Sequence, residues 1–144
     1  MPNMSGSFTG TANVQTSLSL RDTPNHVLNV AEISGAQKSA DELWNNSAIT
    51  YWGITDMVDG KGRQSGYYVN VHTGGDRDAG TFEGKLTVSG NQINVEGSWK
   101  LTSGTGKFSG ATGGGTFKTK FTPPGVVECS WDGMYELAAK AGAH

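Results

Sequence analysis

A chain of 144 residues and 15.1 kDa has room for one compact domain. Glycine supplies 22 positions, about twice the usual share, and only 35% of residues are hydrophobic and 17% charged. That mixture suits turns and half-buried strands and excludes a helical bundle. A net charge of -2 gives no broad cationic surface, so nucleic acid is not expected as a principal partner.

The lone Cys129 cannot close an internal disulfide, which fits a reducing compartment and a cytoplasmic location. The first residues, Met1 to Gly6, carry no basic charge followed by an apolar run, so no signal peptide is visible. No stretch approaches ~18 apolar residues, so no membrane span is expected.

The pattern along the chain is one of period two. Phe8, Ala12, Val14, Leu18 and Leu20 share one phase of a long first strand, which Arg21-Asp22-Thr23-Pro24-Asn25 ends. His26 to Ile33 is a second strand whose phase is open. Ser39 to Trp44 offers a Ser cap followed by acidic residues, enough for one helical turn. The third strand, Ser47 to Val58, is apolar on both faces: Ile49, Tyr51 and Met57 oppose Trp52, Ile54 and Val58. Such a strand implies cover from a neighbouring subunit, hence a homo-oligomer.

Asp59-Gly60 is a hairpin signal. Strand four, Ser65 to Thr73, sets Tyr67, Val69 and Val71 against Tyr68, Asn70 and His72; a polar loop, Gly74 to Gly80, follows. Strand five carries Phe82, Gly84, Leu86 and Val88 on one face. Strand six repeats the scheme with Ile93, Val95, Gly97, Trp99 and Leu101. A Gly-rich link, Ser103 to Gly115, leads to strand seven (Phe117, Thr119, Phe121) and, past Pro123-Pro124-Gly125, to strand eight (Val127, Cys129, Trp131, Gly133, Tyr135, Leu137).

Eight short strands joined by tight turns predict an all-β domain over residues 1–137, with a frayed tail at 138–144. Closure into an eight-stranded antiparallel up-and-down barrel removes exposed edges and leaves an interior that is either filled or holds one small molecule.

Ser103-Gly104-Thr105-Gly106-Lys107-Phe108-Ser109-Gly110-Ala111-Thr112-Gly113 resembles the Gly-Thr-Gly-x-Phe-x-x-Ala-x-Gly stretch of the allene oxide cyclase and dirigent barrels. The run from Gly80 through Leu137 is similar to small bacterial members of that group. The resemblance covers about the C-terminal half. It implies a barrel with an apolar lumen that holds a flexible apolar substrate in one reactive conformation. A cofactor-free cyclase, isomerase or lyase and a non-catalytic binding or dirigent-like barrel both satisfy it.

The residues themselves frame the chemistry. Gly104-Thr105-Gly106-Lys107 lacks the spacing and the Ser or Thr of a phosphate loop, so it reads as a turn. Asp76-Arg77-Asp78 lacks calcium-loop spacing and reads as a solvated loop. His26 and His72 are too isolated to bind zinc and read as surface or rim residues; neither metal nor organic cofactor is expected.

Tyr51, Tyr67, Trp99, Trp131 and Tyr135 share one phase and are expected along the lumen, as core or as an aromatic ligand wall. Cys129 beside Trp131 is an inert buried thiol or a contact to the ligand. If Leu28 and Val30 face inward, Glu32 and His26 do too, and a lumen carboxylate is suited to acid–base work; in the opposite phase Glu32 lies in solvent. The expected site therefore comprises Glu32, Tyr51 and Tyr135 as catalytic groups and His26, Tyr67, Trp99, Cys129 and Trp131 as contacts to a small apolar molecule.

Overall fold

The computed structural model describes residues 3–122 and 125–137; the 138–144 tail lies outside them. Eight strands follow in chain order: β1 (Asn3–Leu20), β2 (His26–Ser39), β3 (Ala48–Val58), β4 (Lys61–Val71), β5 (Arg77–Ser89), β6 (Gln92–Gly104), β7 (Thr112–Thr122) and β8 (Val126–Glu136). Each pairs antiparallel with the next, and β8 returns to β1, so the sheet closes into a barrel. The fold expected from the strand pattern is the one formed.

Closure is staggered. Directly opposed residues run from Leu20 to His26, Val58, Lys61, Thr87, Asn94, Lys120 and Glu128, and Glu128 faces Thr9 on β1. The circuit thus returns to β1 eleven positions from where it began. Strand tilt and stagger are linked in a closed sheet. The lower part of β1 therefore pairs with β8 and the upper part only with β2.

One extra residue redirects β1. The register slips at Asn13, between Ala12 and Val14, as in a β-bulge. Below it Phe8 and Ala12 belong to the core; above it Val14 and Leu18 turn outward and are 58% and 59% exposed. The single even phase expected for β1 therefore holds only as far as Ala12.

Inside, Phe8, Ile33, Ile49, Tyr51, Tyr68, Leu86, Val95, Phe117, Val127 and Cys129 form the main core. Strands five to eight take the expected phase. β4 takes the opposite one: Tyr68, Asn70 and His72 are buried, and Tyr67 is 63% exposed. The two-residue Asp59-Gly60 turn, both residues at positive φ, sets this by pairing Tyr51 with Tyr68 on the inner face. β3 is two-faced as read, but within one chain its outer Trp52, Ile54 and Val58 remain partly exposed.

A second cluster closes the end opposite the hairpin turns: Met4, Trp44, Leu101, Phe108, Ala111 and Tyr135. Loops deliver three of its members, Trp44, Phe108 and Ala111. Instead of a helix from Ser39, a turn forms at Asp41, whose carbonyl accepts from the Trp44 and Asn45 N–H groups. In the Gly-rich link a single 3-10 turn, Gly106–Phe108, inserts the fully buried Phe108.

Gly66 marks a point of close approach, since a Cβ there would collide with the Trp52 carbonyl oxygen and the Phe82 ring. We expect Gly66→Ala to cost about 1–3 kcal/mol, as overpacking does, lowering the thermal midpoint by several degrees in a calorimetric scan.

Candidate functional site

Between the two clusters the lumen holds a cavity of about 80 Å³. Phe8, Ile49, Tyr51, Phe82, Trp99, Phe117 and Trp131 form most of its wall, with Cys129, Thr119, Gln64, Tyr68, Gln37 and Asn70 as polar interruptions. Leu86, Val95 and Val127, all essentially buried, belong to the main core but not to the cavity wall. The rings pack edge to face: Tyr51 on Phe82, Phe82 on Phe117, Tyr68 on Trp99, and Trp99 on Trp131.

Four of the eight residues expected in the site, Tyr51, Trp99, Cys129 and Trp131, meet at this cavity. Tyr135 lies in the end cluster and donates its hydroxyl hydrogen to Asp41 Oδ2 at 3.0 Å. The other three are on the outer surface. Inward Ala31 and Ile33 put Glu32 outside, where it accepts from Trp52 Nε1 at 2.9 Å and Asn13 Nδ2 at 3.2 Å. Tyr67 follows the outward phase of β4. His26, in phase with Glu32, is held between Asp22 (2.8 Å) and Asp56 (2.6 Å).

The structure adds a buried polar chain that pattern reading did not find. Trp131 Nε1 donates to Gln37 Oε1 (2.8 Å), Gln37 Nε2 to Asn70 Oδ1 (3.1 Å), and Asn70 Nδ2 to Asp78 Oδ2 (3.2 Å). Asp78 Oδ1 lies 2.5 Å from His72 Nε2, and His72 Nδ1 donates to the Leu43 carbonyl at 2.7 Å. His72 stacks on Phe108 and meets the edge of Trp44. Neither His72 nor Asp78 is the rim or loop residue expected: both are buried, because β5 begins at Arg77 and carries Asp78 inward. The pair pins the β2–β3 loop onto the barrel end.

Burial dominates the titration of the interior. It raises the Tyr51 and Tyr68 hydroxyls well above the usual tyrosine range, the Asp78 charge adding to the effect at Tyr68. It pushes the Cys129 thiol up to about 11. It also raises Asp78 above the usual carboxylate range, against the opposing pull of His72 and Asn70. Among the described residues two buried polar atoms have no hydrogen-bond partner, the Tyr68 hydroxyl and Trp44 Nε1, both on residues that line the cavity. Among the described residues no group of three or more His, Cys, Asp or Glu could hold a metal ion.

No protein-family profile matches the sequence, and no curated protein is significantly similar to it. Among solved structures, the pterocarpan synthase dirigent protein GePTS1 superposes with a TM-score of 0.52 at 11% identity, over 95% of this chain and 89% of that one. At this identity the likeness is one of fold, a closed eight-stranded barrel of the kind that the Gly-rich link led us to expect. No helix among the described residues is long and apolar enough to cross a membrane.

Two outcomes test the electrostatics. Cys129 should resist alkylation at pH 8 in the native state and react only on unfolding, as mass spectrometry would read. Hydrogen bonding to Asp22, then to Asp56, raises His26 above 6.5. Its clamp therefore contributes fully below pH 6.5 and fades as pH rises through the native value. An NMR titration should show a midpoint above 6.5 that falls in Asp22→Asn.

Proposed function

We propose that this barrel binds a compact, largely apolar molecule carrying one oxygen acceptor, and holds it in a fixed conformation within the lumen. The observation that carries this reading is a cavity walled mainly by aromatic rings, one of whose lining residues, Tyr68, has a buried hydroxyl with no protein partner. Leaving a buried hydroxyl unpaired costs about 1–3 kcal/mol, which a carbonyl or ether oxygen on a ligand would offset. Six ring-to-ring contacts around the cavity supply the apolar remainder of the contact.

The size of the space sets the size of the ligand. At about 80 Å³ the cavity is smaller than the ~150 Å³ that accommodates benzene. It falls further short of the ~300 Å³ at which drug-sized pockets begin. A molecule of more than a few heavy atoms enters only if Trp99 and Trp131, both half-buried, swing aside.

Holding rather than proton transfer is the favoured role. A cyclase or isomerase working through Tyr51, Tyr135 and Glu32 needs a group at the cavity that exchanges protons near neutral pH. Tyr51, Tyr68 and Cys129 are kept protonated by burial, and Glu32 stands outside. Any acceleration by this cavity would come from conformational restriction of the ligand. The dirigent-like fold supports the same reading, and the single buried thiol supports a cytoplasmic setting.

Tyr68→Phe separates the roles. Ligand-free, the variant should be as stable as the parent or slightly more so, because an unsatisfied hydroxyl is removed. Its affinity for cyclopentanone, followed by tryptophan fluorescence, should fall about tenfold, while affinity for cyclopentane is unchanged. Equal losses for both would take the hydroxyl out of the site. Failure of the parent to bind either at millimolar concentration would end the ligand-holding reading.

A further inference from the structure

We propose that the β2–β3 loop, residues 40–47, is a lid on the loop-bearing end of the lumen, latched by one proton shared between His72 and Asp78, and that loss of this proton opens it. As a gate the lid rests on the ligand-holding reading above; as a latch it is measurable without ligand.

The lid carries its own plug. Trp44, 2% exposed, lines the cavity beside Met4, Gln37 and Trp131. Its ring stands edge to face with Trp131 and Tyr135, so any swing of Trp131 waits on Trp44. Two side chains from outside the hairpin tie the loop down. Tyr135 donates to Asp41 Oδ2, and His72 Nδ1 donates to the Leu43 carbonyl at 2.7 Å. The second tie is the fully buried one, with Asp78 behind it.

The hydrogen bonds of that tie fix its protonation. A carbonyl only accepts, so Nδ1 carries a hydrogen. Nε2 lies 2.5 Å from Asp78 Oδ1, so a hydrogen stands between them as well. Asp78 Oδ2 accepts from Asn70 Nδ2 and carries none. The pair therefore holds one hydrogen more than a neutral imidazole and a carboxylate together. Imidazolium with carboxylate and imidazole with carboxylic acid satisfy this equally. Remove that hydrogen and Nε2 keeps the one left, because its bond to the carboxylate is charge-assisted. Nδ1 then presents a lone pair to the Leu43 carbonyl, and the loop is released.

Burial, which holds Asp78 above the usual carboxylate range, favours the protonated pair. A proton bound more tightly in the closed state stabilises that state at low pH and stops doing so as pH rises, so the latch opens toward alkali. The other ionisable groups at this end do not supply the effect. Burial, joined by Asp78 at Tyr68 and by Asp41 at Tyr135, raises both hydroxyls and keeps them protonated. Lys38, Asp41, Glu42, Asp76, Arg77 and Lys107 are half-buried or exposed, and their side chains make no hydrogen bond to His72 or Asp78.

Asp78→Asn tests the proton count. Its amide can donate to a neutral Nε2 and still accept from Asn70, so the variant keeps both bonds without the titrating hydrogen. In the ligand-free parent, protection of the Trp44 indole N–H from exchange, relative to free indole at the same pH, should fall about tenfold from about pH 6 to about pH 9. In Asp78→Asn it should keep its acid value throughout. Association of cyclopentanone, followed by stopped-flow tryptophan fluorescence, should accelerate over that range in the parent alone. The His72 ring carbons should titrate with the midpoint of the protection loss, which decides the matter if the variant fails to fold. Protection indifferent to pH, an Asp78→Asn lid looser than the parent's in acid, association that does not follow protection, or a His72 midpoint apart from the loss would each overturn the proposal. Loss of protection with no cyclopentanone bound at any pH would sustain the latch and end the holding reading.

Discussion

Closing eight strands on themselves with an eleven-position offset is the constraint from which the other features of this protein follow. Tilted strands must coil sharply. Where inner side chains cross a neighbouring backbone, glycine is the residue that fits, as at Gly66 beneath Phe82. The offset makes β1 the longest strand, at 18 residues. It divides β1 into a lower part paired with β2 and β8 and an upper part whose strand pairing, among the described residues, is with β2. The bulge at Asn13 falls at the junction, so the apolar row of β1 leaves the interior where its second neighbour ends.

The interior itself is built in two ways. Around the cavity, aliphatic and aromatic groups pack in the manner of an ordinary core, with few hydrogen bonds. At the loop-bearing end, directional contacts do the holding: Asp78, His72, Asn70, Gln37 and Trp131 form one connected chain from barrel end to cavity wall. Loss of one partner in a buried polar chain leaves another group unsatisfied and is costly, so such a chain fixes geometry more than it strengthens the fold. It aligns the Trp131 indole and thereby the shape of the ligand space. Tyr68 is left outside the chain, its buried hydroxyl without a protein partner.

Much of the fold was legible because β5 to β8 alternate over most of their length, the one slip falling at Thr102 opposite Ala79 and Gly80, and each buries the face its apolar residues mark. The site was legible in part, and the failures have physical causes. The inner row of β4 reads Gly62, Gln64, Gly66, Tyr68, Asn70, His72. It looks polar because glycines make room for crossing rings and the amides belong to a buried network. The information was nevertheless present: a two-residue turn at Asp59-Gly60 ties inward Tyr51 to Tyr68, not to Tyr67. For β2, alternation gave two equal phases, and only its pairing with Tyr51 and Gly53 decides that Glu32 looks out. The bulge at Asn13 and the burial of Asp78 left no local signal, since both arise from contacts with strands distant in the chain.

The seam joining Asn3 to Met134 also imposes an order of events during synthesis. Every other strand pair joins neighbours in the chain and can form as soon as both have left the ribosome. Phe8 cannot pair with Cys129 until β8 itself has emerged. Until then the growing chain is an open ribbon with an apolar inner face, the form in which it is most vulnerable to misassociation. Anything that slows translation of β8 should therefore prolong dependence on chaperones more than the same delay placed in β2 to β7.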